Sequence, residues 1–175
     1  MSRQRQVAAK FGAGYIGLIE QPVPSVGRGM VLVEVHRSLV SPGTELGGWR
    51  AFSEKYTGSP PEDAVPVPFG YGNAGTVLET GAEVEGLGAG DRVACIGGGY
   101  ALHTDFAVVP QNLCVPLPAG VSFEQGAYAH LAATALHGIR RCRPQIGEFI
   151  CVVGLGIVGQ LLAQLARLSG AWVIG

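Results

Sequence analysis

The residues best suited to chemistry form a glycine turn between an apolar run and a helix-forming segment. Gly154-x-Gly156-x-x-Gly159 follows FICVV and leads into LLAQLARL. This order of strand, turn and helix is the setting in which the spacing binds the pyrophosphate of a dinucleotide. Gly154 permits the tight turn, Gly156 lets backbone approach the pyrophosphate, and Gly159 lets the helix pack close to the strand.

The helix that follows would supply the hydrogen-bond donors of such a site. The backbone N–H groups near Ile157 and Val158 lie at its start, where they have no partner within the helix and carry the positive end of its dipole. We therefore predict that these two residues and the three glycines bind NAD or NADP. An ordinary turn between a strand and a helix of an α/β domain is the alternative.

A second glycine pattern, Gly12-Ala-Gly14-Tyr-Ile-Gly17, has the same spacing but a different setting. Pro22 and Pro24 follow too soon to leave room for a crossover helix. The flanking segments VAAKF and YIGLIE instead predict a β-hairpin that turns between Gly12 and Gly14. We do not expect this pattern to bind a nucleotide.

The segment Gly170–Gly175 is typical of a second parallel strand. The acidic residue that usually holds the ribose hydroxyl of NAD comes about 20 residues after the glycines, at or past Gly175. The choice between NAD and NADP therefore depends on residues beyond this sequence. A doubly wound domain has about six strands, so we expect a fragment of a longer enzyme.

Composition favours a globular protein and gives no sign of a nucleic-acid or membrane partner. Of 175 residues, 47% are hydrophobic and 14% are charged, with a net charge of -1 and a pI near 6.4. These values argue against disorder and against a nucleic acid or an anionic membrane as partner. The four cysteines form no C-x-x-C pair, which favours a reduced, cytoplasmic setting. We expect Cys151, within an apolar strand, to be buried.

The segment Phe149–Gly175 carries Arg167 as its only charge, so a membrane-spanning helix has to be considered. Gln160, Gln164 and Arg167 recur at helical spacing and form a polar stripe, and the glycines interrupt the apolar run. We therefore expect a protein in solution.

Residues 1–118 predict a β-rich domain, and residues 119–175 predict a helix followed by the start of an α/β domain. Ser122-x-x-Gln125 is a capping box at the start of a helix that runs to Arg141 and stops before Pro144. The segment Ser41–Pro68 is rich in proline and glycine and predicts a long surface excursion. Strands are predicted over Met30–His36, Ala74–Leu78, Arg92–Ile96 and Phe106–Val109.

This organisation, together with several short motifs, resembles the medium-chain dehydrogenase/reductase superfamily. The resemblance covers nearly the whole chain and implies a β-rich GroES-like barrel, followed by the first βαβ part of a doubly wound Rossmann domain. It also implies a nicotinamide cofactor in the cleft between the two domains. The motifs, in family order, are VLVEV, SPGTE (41–45), FGYGNAGTV (69–77), GDRV (90–93), VP before LP, an alanine-rich helix with Thr134, and VVGLGIVG.

The departures from the family pattern concern zinc. Zinc enzymes of the family carry Cys-Gly-Thr-Asp where this chain has Pro-Gly-Thr-Glu at residues 42–45. They carry Gly-His-Glu where this chain has Gly-Tyr-Gly at residues 70–72. The third ligand position is His130. Proline and glycine have no ligand side chain and tyrosine is a poor one, so we expect no zinc. SPGTE and GYGNAGTV are similar to a bacterial subgroup of oxidoreductases that lack the zinc ligands.

The resemblance also indicates residues for chemistry without the metal. Thr44 occupies the position whose hydroxyl serves the proton relay in zinc relatives. Tyr71 stands at a former ligand position, where a phenol could donate a hydrogen bond or a proton to a carbonyl. Filling the vacated metal pocket is the alternative role of Tyr71. Thr134 is similar to the family threonine that contacts the nicotinamide.

Three other polar residues have weaker support. His130 is the remaining catalytic candidate, and a satisfied core or cleft histidine is its alternative role. For Glu45 we favour a structural pairing with a nearby loop group. His103 is expected to be structural or solvated.

These expectations together predict an NAD(P)-dependent oxidoreductase that acts on an alcohol, a carbonyl or an activated alkene without zinc. The alternatives are a cofactor-binding member of the superfamily that does not catalyse a reaction, and an inactive fragment. A full-length form could assemble as a homo-oligomer.

Overall fold

The structure, a computed structural model, describes residues 3–11, 15–45 and 62–175. The chain divides into two compact units, Met1–Ala127 and Tyr128–Gly175. Each unit is described by itself below.

The first unit consists of two antiparallel sheets and short helices. The larger sheet has the order β7-β3-β5-β6-β8, and the smaller one the order β2-β1-β4. Its strands are β1 Gln4–Lys10, β2 Ile16–Pro22, β3 Met30–Ser38, β4 Val67–Pro68, β5 Gly72–Thr80, β6 Arg92–Ile96, β7 Phe106–Pro110 and β8 Cys114–Pro116; its helices are α1 Pro42–Glu45 and α2 Phe123–Ala127.

The smaller sheet contains the hairpin predicted from the second glycine pattern. Strands β1 and β2 pair antiparallel over their full length, from Gln4 opposite Pro22 to Lys10 opposite Ile16. No crossover helix follows, because β2 ends at Pro22 and the chain goes on to β3. The predicted turn at Gly12–Gly14 lies outside the described residues.

The larger sheet holds the core of the first unit. Alternate valines of β3, Val31 and Val33, are fully buried and pack with Val77, Val93 and Val109 from neighbouring strands. Strands β3 and β5 approach so closely that a Cβ on Gly75 would lie 2.0 Å from the carbonyl oxygen of Glu34. Glycine is therefore required at this position of the FGYGNAGTV segment.

The helix predicted after residue 122 is divided in two. The capping box is confirmed, because Ser122 N–H donates to Gln125 Oε1 at 2.9 Å and Gln125 N–H donates to Ser122 Oγ at 3.2 Å. Helix α2, however, ends at Ala127. Gly126 explains its position, because the missing side chain leaves room for Leu117, whose Cδ1 lies 2.7 Å from where a Cβ would stand.

The second unit is a β-α-β arrangement preceded by a helix. Its elements are α3 Ala129–Cys142, β9 Phe149–Cys151, α4 Ile157–Leu168 and β10 Trp172–Ile174. Strands β9 and β10 are parallel, with Ile150 opposite Val173, as a crossover through α4 requires. Helix α3 ends at Arg143, which has a left-handed φ of 52° and donates its N–H to Ile139 O.

The expectation that Cys151 is buried was wrong. Cys151 is exposed, and so is Phe149, two residues earlier on the same face of β9. Side chains of a strand alternate between its two faces, so these residues point to the face opposite that of the half-buried Ile150. The apolar composition of the strand does not show that each of its faces is covered.

In the part of the chain that the structure describes, no helix is both long enough and apolar enough to cross a membrane.

Candidate functional site

The three glycines of the turn in the second unit have three different surroundings. Gly154 has a φ of 93°, a conformation that favours glycine. A Cβ on Gly159 would lie 1.9 Å from the carbonyl oxygen of Gly154, so only glycine allows α4 to start this close to the turn. A Cβ on Gly156 would meet no heavy atom within 4 Å. The fold therefore requires Gly154 and Gly159, whereas the space beside Gly156 is open.

Helix α4 begins immediately after this open space. Gly156 is its N-cap, with φ of -68° and ψ of -175°, and no side chain caps the helix. The first helical hydrogen bond runs from Gln160 N–H to Gly156 O at 2.9 Å. By helix geometry the N–H groups of Ile157 and Val158 have no acceptor within the helix. They can donate to an anion at the turn, which the helix dipole also attracts.

Helix α3 carries Thr134 and His130, which lie one turn apart. Thr134 is exposed, and its hydroxyl donates to the carbonyl oxygen of His130 at 3.2 Å. This local bond holds the rotamer of Thr134 and leaves the lone pairs of its oxygen facing outward as acceptors. His130 is half-buried.

In the first unit, Thr44 lies on α1, a single helical turn. The turn is closed twice by Glu45, whose N–H donates to Ser41 O at 2.8 Å and whose Oε2 accepts the N–H of Ser41 at 2.6 Å. Glu45 is buried, whereas Thr44 is exposed. Thr44 is therefore exposed on a turn that the buried Glu45 stabilises through its hydrogen bonds with Ser41.

Glu45, which follows Thr44 in the chain, forms a buried pair with His103. His103 Nε2 lies 3.1 Å from Glu45 Oε1, and the two residues are only 8% and 6% exposed. Lys10 Nζ donates to the backbone carbonyl of Glu45 and lies 4.9 Å from the centroid of the Phe69 ring. Phe69 in turn packs edge-on against His103, with ring centroids 5.0 Å apart. The structural role favoured for Glu45 is thus observed, and His103 is its buried partner.

Tyr71 follows Phe69 and Gly70, which both lie against the backbone of His103. Gly70, with a φ of 124°, is packed so closely that a Cβ would lie 2.3 Å from His103 N. His103 N–H donates to Phe69 O at 3.1 Å, and Tyr71 O accepts the N–H of Gly97 at 3.0 Å. His103 therefore pairs through its side chain with Glu45, next to Thr44, and through its backbone N–H with Phe69, two residues before Tyr71.

Asn73 is a further buried polar residue near this segment. It is 1% exposed, and its Nδ2 donates to Leu102 O at 3.0 Å. Within the described ranges, Asn73 Oδ1 and His103 Nδ1 have no hydrogen-bond partner. Sequence analysis did not single out Asn73, because an asparagine inside a glycine-rich segment has the composition of a turn.

The residues at the expected zinc positions do not suit the metal. Pro42 and Gly72 supply no ligand atom, and the described residues contain no group of three His, Cys, Asp or Glu side chains that could hold an ion. His103 Nε2 and Glu45 Oε1 are already paired with each other in a buried contact. A four-coordinate zinc site needs more nitrogen, sulfur or carboxylate donors than this.

Comparison with known proteins shows the family of the chain. The alcohol dehydrogenase GroES-like domain family matches residues 27–133. The chain is similar to sorbitol dehydrogenase of Halalkalibacterium halodurans, with 27% identity over 96% of this chain and 54% of the relative.

Two solved structures illustrate the likeness in fold. A quinone oxidoreductase of Pseudomonas syringae pv. Tomato has a TM-score of 0.76 and 27% identity, covering 100% of this chain and 52% of that one. The Helicobacter pylori protein CAD, solved in complex with NADP(H), has a TM-score of 0.78 and 18% identity, covering 99% of this chain and 58% of that one. The chain therefore spans about half the length of these relatives.

Proposed function

Because the chain belongs to the alcohol dehydrogenase GroES-like domain family of the medium-chain dehydrogenase/reductase superfamily, we propose that it is part of an NAD(P)-dependent oxidoreductase. The GroES-like domain followed by the start of a Rossmann domain is confirmed as its fold. The proteins that it resembles include a sorbitol dehydrogenase, a D-guloside 3-dehydrogenase and a quinone oxidoreductase. The proposed substrate is an alcohol, a carbonyl or an activated alkene.

The observation that carries the proposal is the difference between the three glycines. Gly154 and Gly159 are explained by the fold, because one has a left-handed φ and the other lies against a carbonyl oxygen. Gly156 has an ordinary φ and open space, so the fold does not require glycine there. Close approach of a pyrophosphate to the backbone supplies the missing reason, and the N–H groups of Ile157 and Val158 supply the donors.

In this proposal the cofactor supplies the hydride acceptor or donor, and the protein supplies alignment and charge stabilisation. Thr134, with its hydroxyl oxygen facing outward, contacts the nicotinamide. Thr44 and Tyr71 donate hydrogen bonds to the substrate oxygen, and the phenol of Tyr71 holds the proton that this oxygen gains or loses. His130 is the reserve candidate for the same task.

A substitution at Gly156 tests the cofactor site without disturbing the fold. Gly156→Val places a side chain where the pyrophosphate would approach, and its φ of -68° suits a valine. We expect NADPH and NADH affinity, measured by fluorescence titration, to fall by at least about tenfold. The thermal midpoint should change little.

Gly120→Val is the matched control, because that glycine also has open space around its Cβ position but belongs to the first unit and not to the glycine turn. It should leave cofactor affinity unchanged. If Gly156→Val binds both cofactors as well as the parent protein does, the phosphate site is not at this turn.

A further inference from the structure

Two cysteines face each other across neighbouring strands of the larger sheet. Cys95 of β6 and Cys114 of β8 are directly opposite in the antiparallel register. Their sulfur atoms lie 3.7 Å apart. Directly opposed residues of antiparallel strands have Cα atoms about 4.5–5.5 Å apart, which falls within the range of about 4.4–6.8 Å seen in disulfides. Bond formation requires the two sulfurs to approach from 3.7 Å to about 2.05 Å.

The two thiols differ in accessibility. Cys95 is 3% exposed and belongs to the core formed by Val31, Val33 and their neighbours. Cys114 is half-buried on β8, which pairs with β6 at the edge of the described sheet. Cys114 is therefore the thiol that a small reagent reaches first, and Cys95 lies behind it.

We propose that Cys95 and Cys114 form a thiol–disulfide exchange site for low-molecular-weight disulfides. The Cys114 thiolate attacks one sulfur of the small disulfide, forms a mixed disulfide and releases one small thiolate. Cys95 then loses its proton and attacks the Cys114 sulfur, which forms the Cys95–Cys114 bond and releases the second small thiolate. The two protein thiols are oxidised by two electrons, and the small disulfide is reduced to two thiols.

The contact between the sulfurs favours this order of reaction. The hydrogen bond from the Cys95 thiol lowers the pKa of Cys114, and this effect exceeds the opposite effect of burial. The same contact and burial raise the pKa of Cys95. Cys114 is thus the thiol of the pair that loses its proton more readily, and the thiolate is the nucleophile in disulfide exchange.

The test uses a background in which the two exposed cysteines, Cys142 and Cys151, are replaced by serine. The purified, reduced protein is incubated with glutathione disulfide and analysed by intact mass and peptide mapping. We expect the loss of two hydrogen atoms, an identified Cys95–Cys114 linkage, and full reversal by a dithiol reductant. A stable glutathione adduct on Cys114 with Cys95 still free, or no reaction at all, would overturn the proposal.

Single variants in this background separate the two steps. Cys95→Ala should stop at a mixed disulfide with one glutathione on Cys114. Its first step should also be slower at neutral pH, because the hydrogen bond that lowers the pKa of Cys114 is lost. Cys114→Ala should leave Cys95 unreacted in the folded protein, and rapid modification of Cys95 there would contradict the assigned order.

Discussion

At the scale of single residues, the buried contact between Glu45 and His103 connects two segments of the first unit, one with Thr44 and one with Tyr71. A carboxylate that is 6% exposed has to be compensated by hydrogen bonds. Glu45 has two such bonds, to His103 Nε2 and to the Ser41 N–H. The turn that carries Thr44 is thereby tied to the segment that carries Tyr71.

This contact makes His103 a test of stability. His103→Leu removes one of the two hydrogen bonds described for the buried Glu45, so the free energy of unfolding should fall by about 2 kcal/mol, as measured by urea denaturation. His103→Gln retains an N–H donor and should lose less than half as much. Equal losses in both variants would indicate that packing against Phe69, rather than the hydrogen bond, is what matters.

The proposed catalytic hydroxyls are tested by removing one oxygen at a time. Tyr71→Phe keeps the ring and deletes the donor, and Thr44→Val keeps the shape of the side chain. If either hydroxyl stabilises charge on the substrate oxygen, kcat should fall by roughly 10² while cofactor affinity hardly changes. Steady-state kinetics on a full-length enzyme with an identified substrate measure both quantities. Full kcat in both variants would remove this assignment and make His130 the next residue to examine.

At the scale of elements, each short segment near the sites begins or ends for a local reason. The capping box starts α2, and the left-handed Arg143 before Pro144 ends α3. The glycine turn starts α4 close to β9. Such signals act over a few residues, which is why the hairpin, the main strands and the β-α-β unit could be predicted from sequence. The break between α2 and α3 was not predicted; next to it, Gly126 packs against Leu117, a contact that local sequence signals do not show.

The capping box gives a prediction at this scale. Ser122→Ala removes the hydroxyl that accepts the Gln125 N–H, so the free energy of unfolding should fall by about 1 kcal/mol. Ser25→Ala is the control, since Ser25 is exposed and lies outside helices and strands. A loss for Ser122→Ala no larger than that of the control would show that the box contributes nothing to stability.

At the scale of the whole molecule, this chain differs from the zinc pattern of the family that it resembles. A dehydrogenase needs a group that stabilises the charge of the substrate oxygen, and zinc is one such group. This chain retains the family fold and the glycine turn but has proline, tyrosine and glycine at the positions in question. We therefore propose that hydrogen-bond donors from the protein take over that task.

Metal content tests this proposal directly. The purified protein should contain well under one zinc ion per chain, because Pro42 and Gly72 offer no ligand atom and Tyr71 is a poor ligand. Elemental analysis after dialysis against a metal-free buffer measures the ratio. One zinc per chain that survives this treatment would mean that other residues of the protein bind the metal.

The sequence by itself determined the main strands, the glycine turn and the family, because strand alternation, helix caps and glycine spacing are local patterns. It also determined what the zinc positions lack, since a missing side chain is visible without coordinates. Only the tertiary structure decided which polar and sulfur-containing residues meet. Glu45 and His103 are 58 positions apart, and Cys95 and Cys114 are 19 apart. Their contacts depend on how turns and strands are brought together across the sheets, and no local pattern in the chain records that.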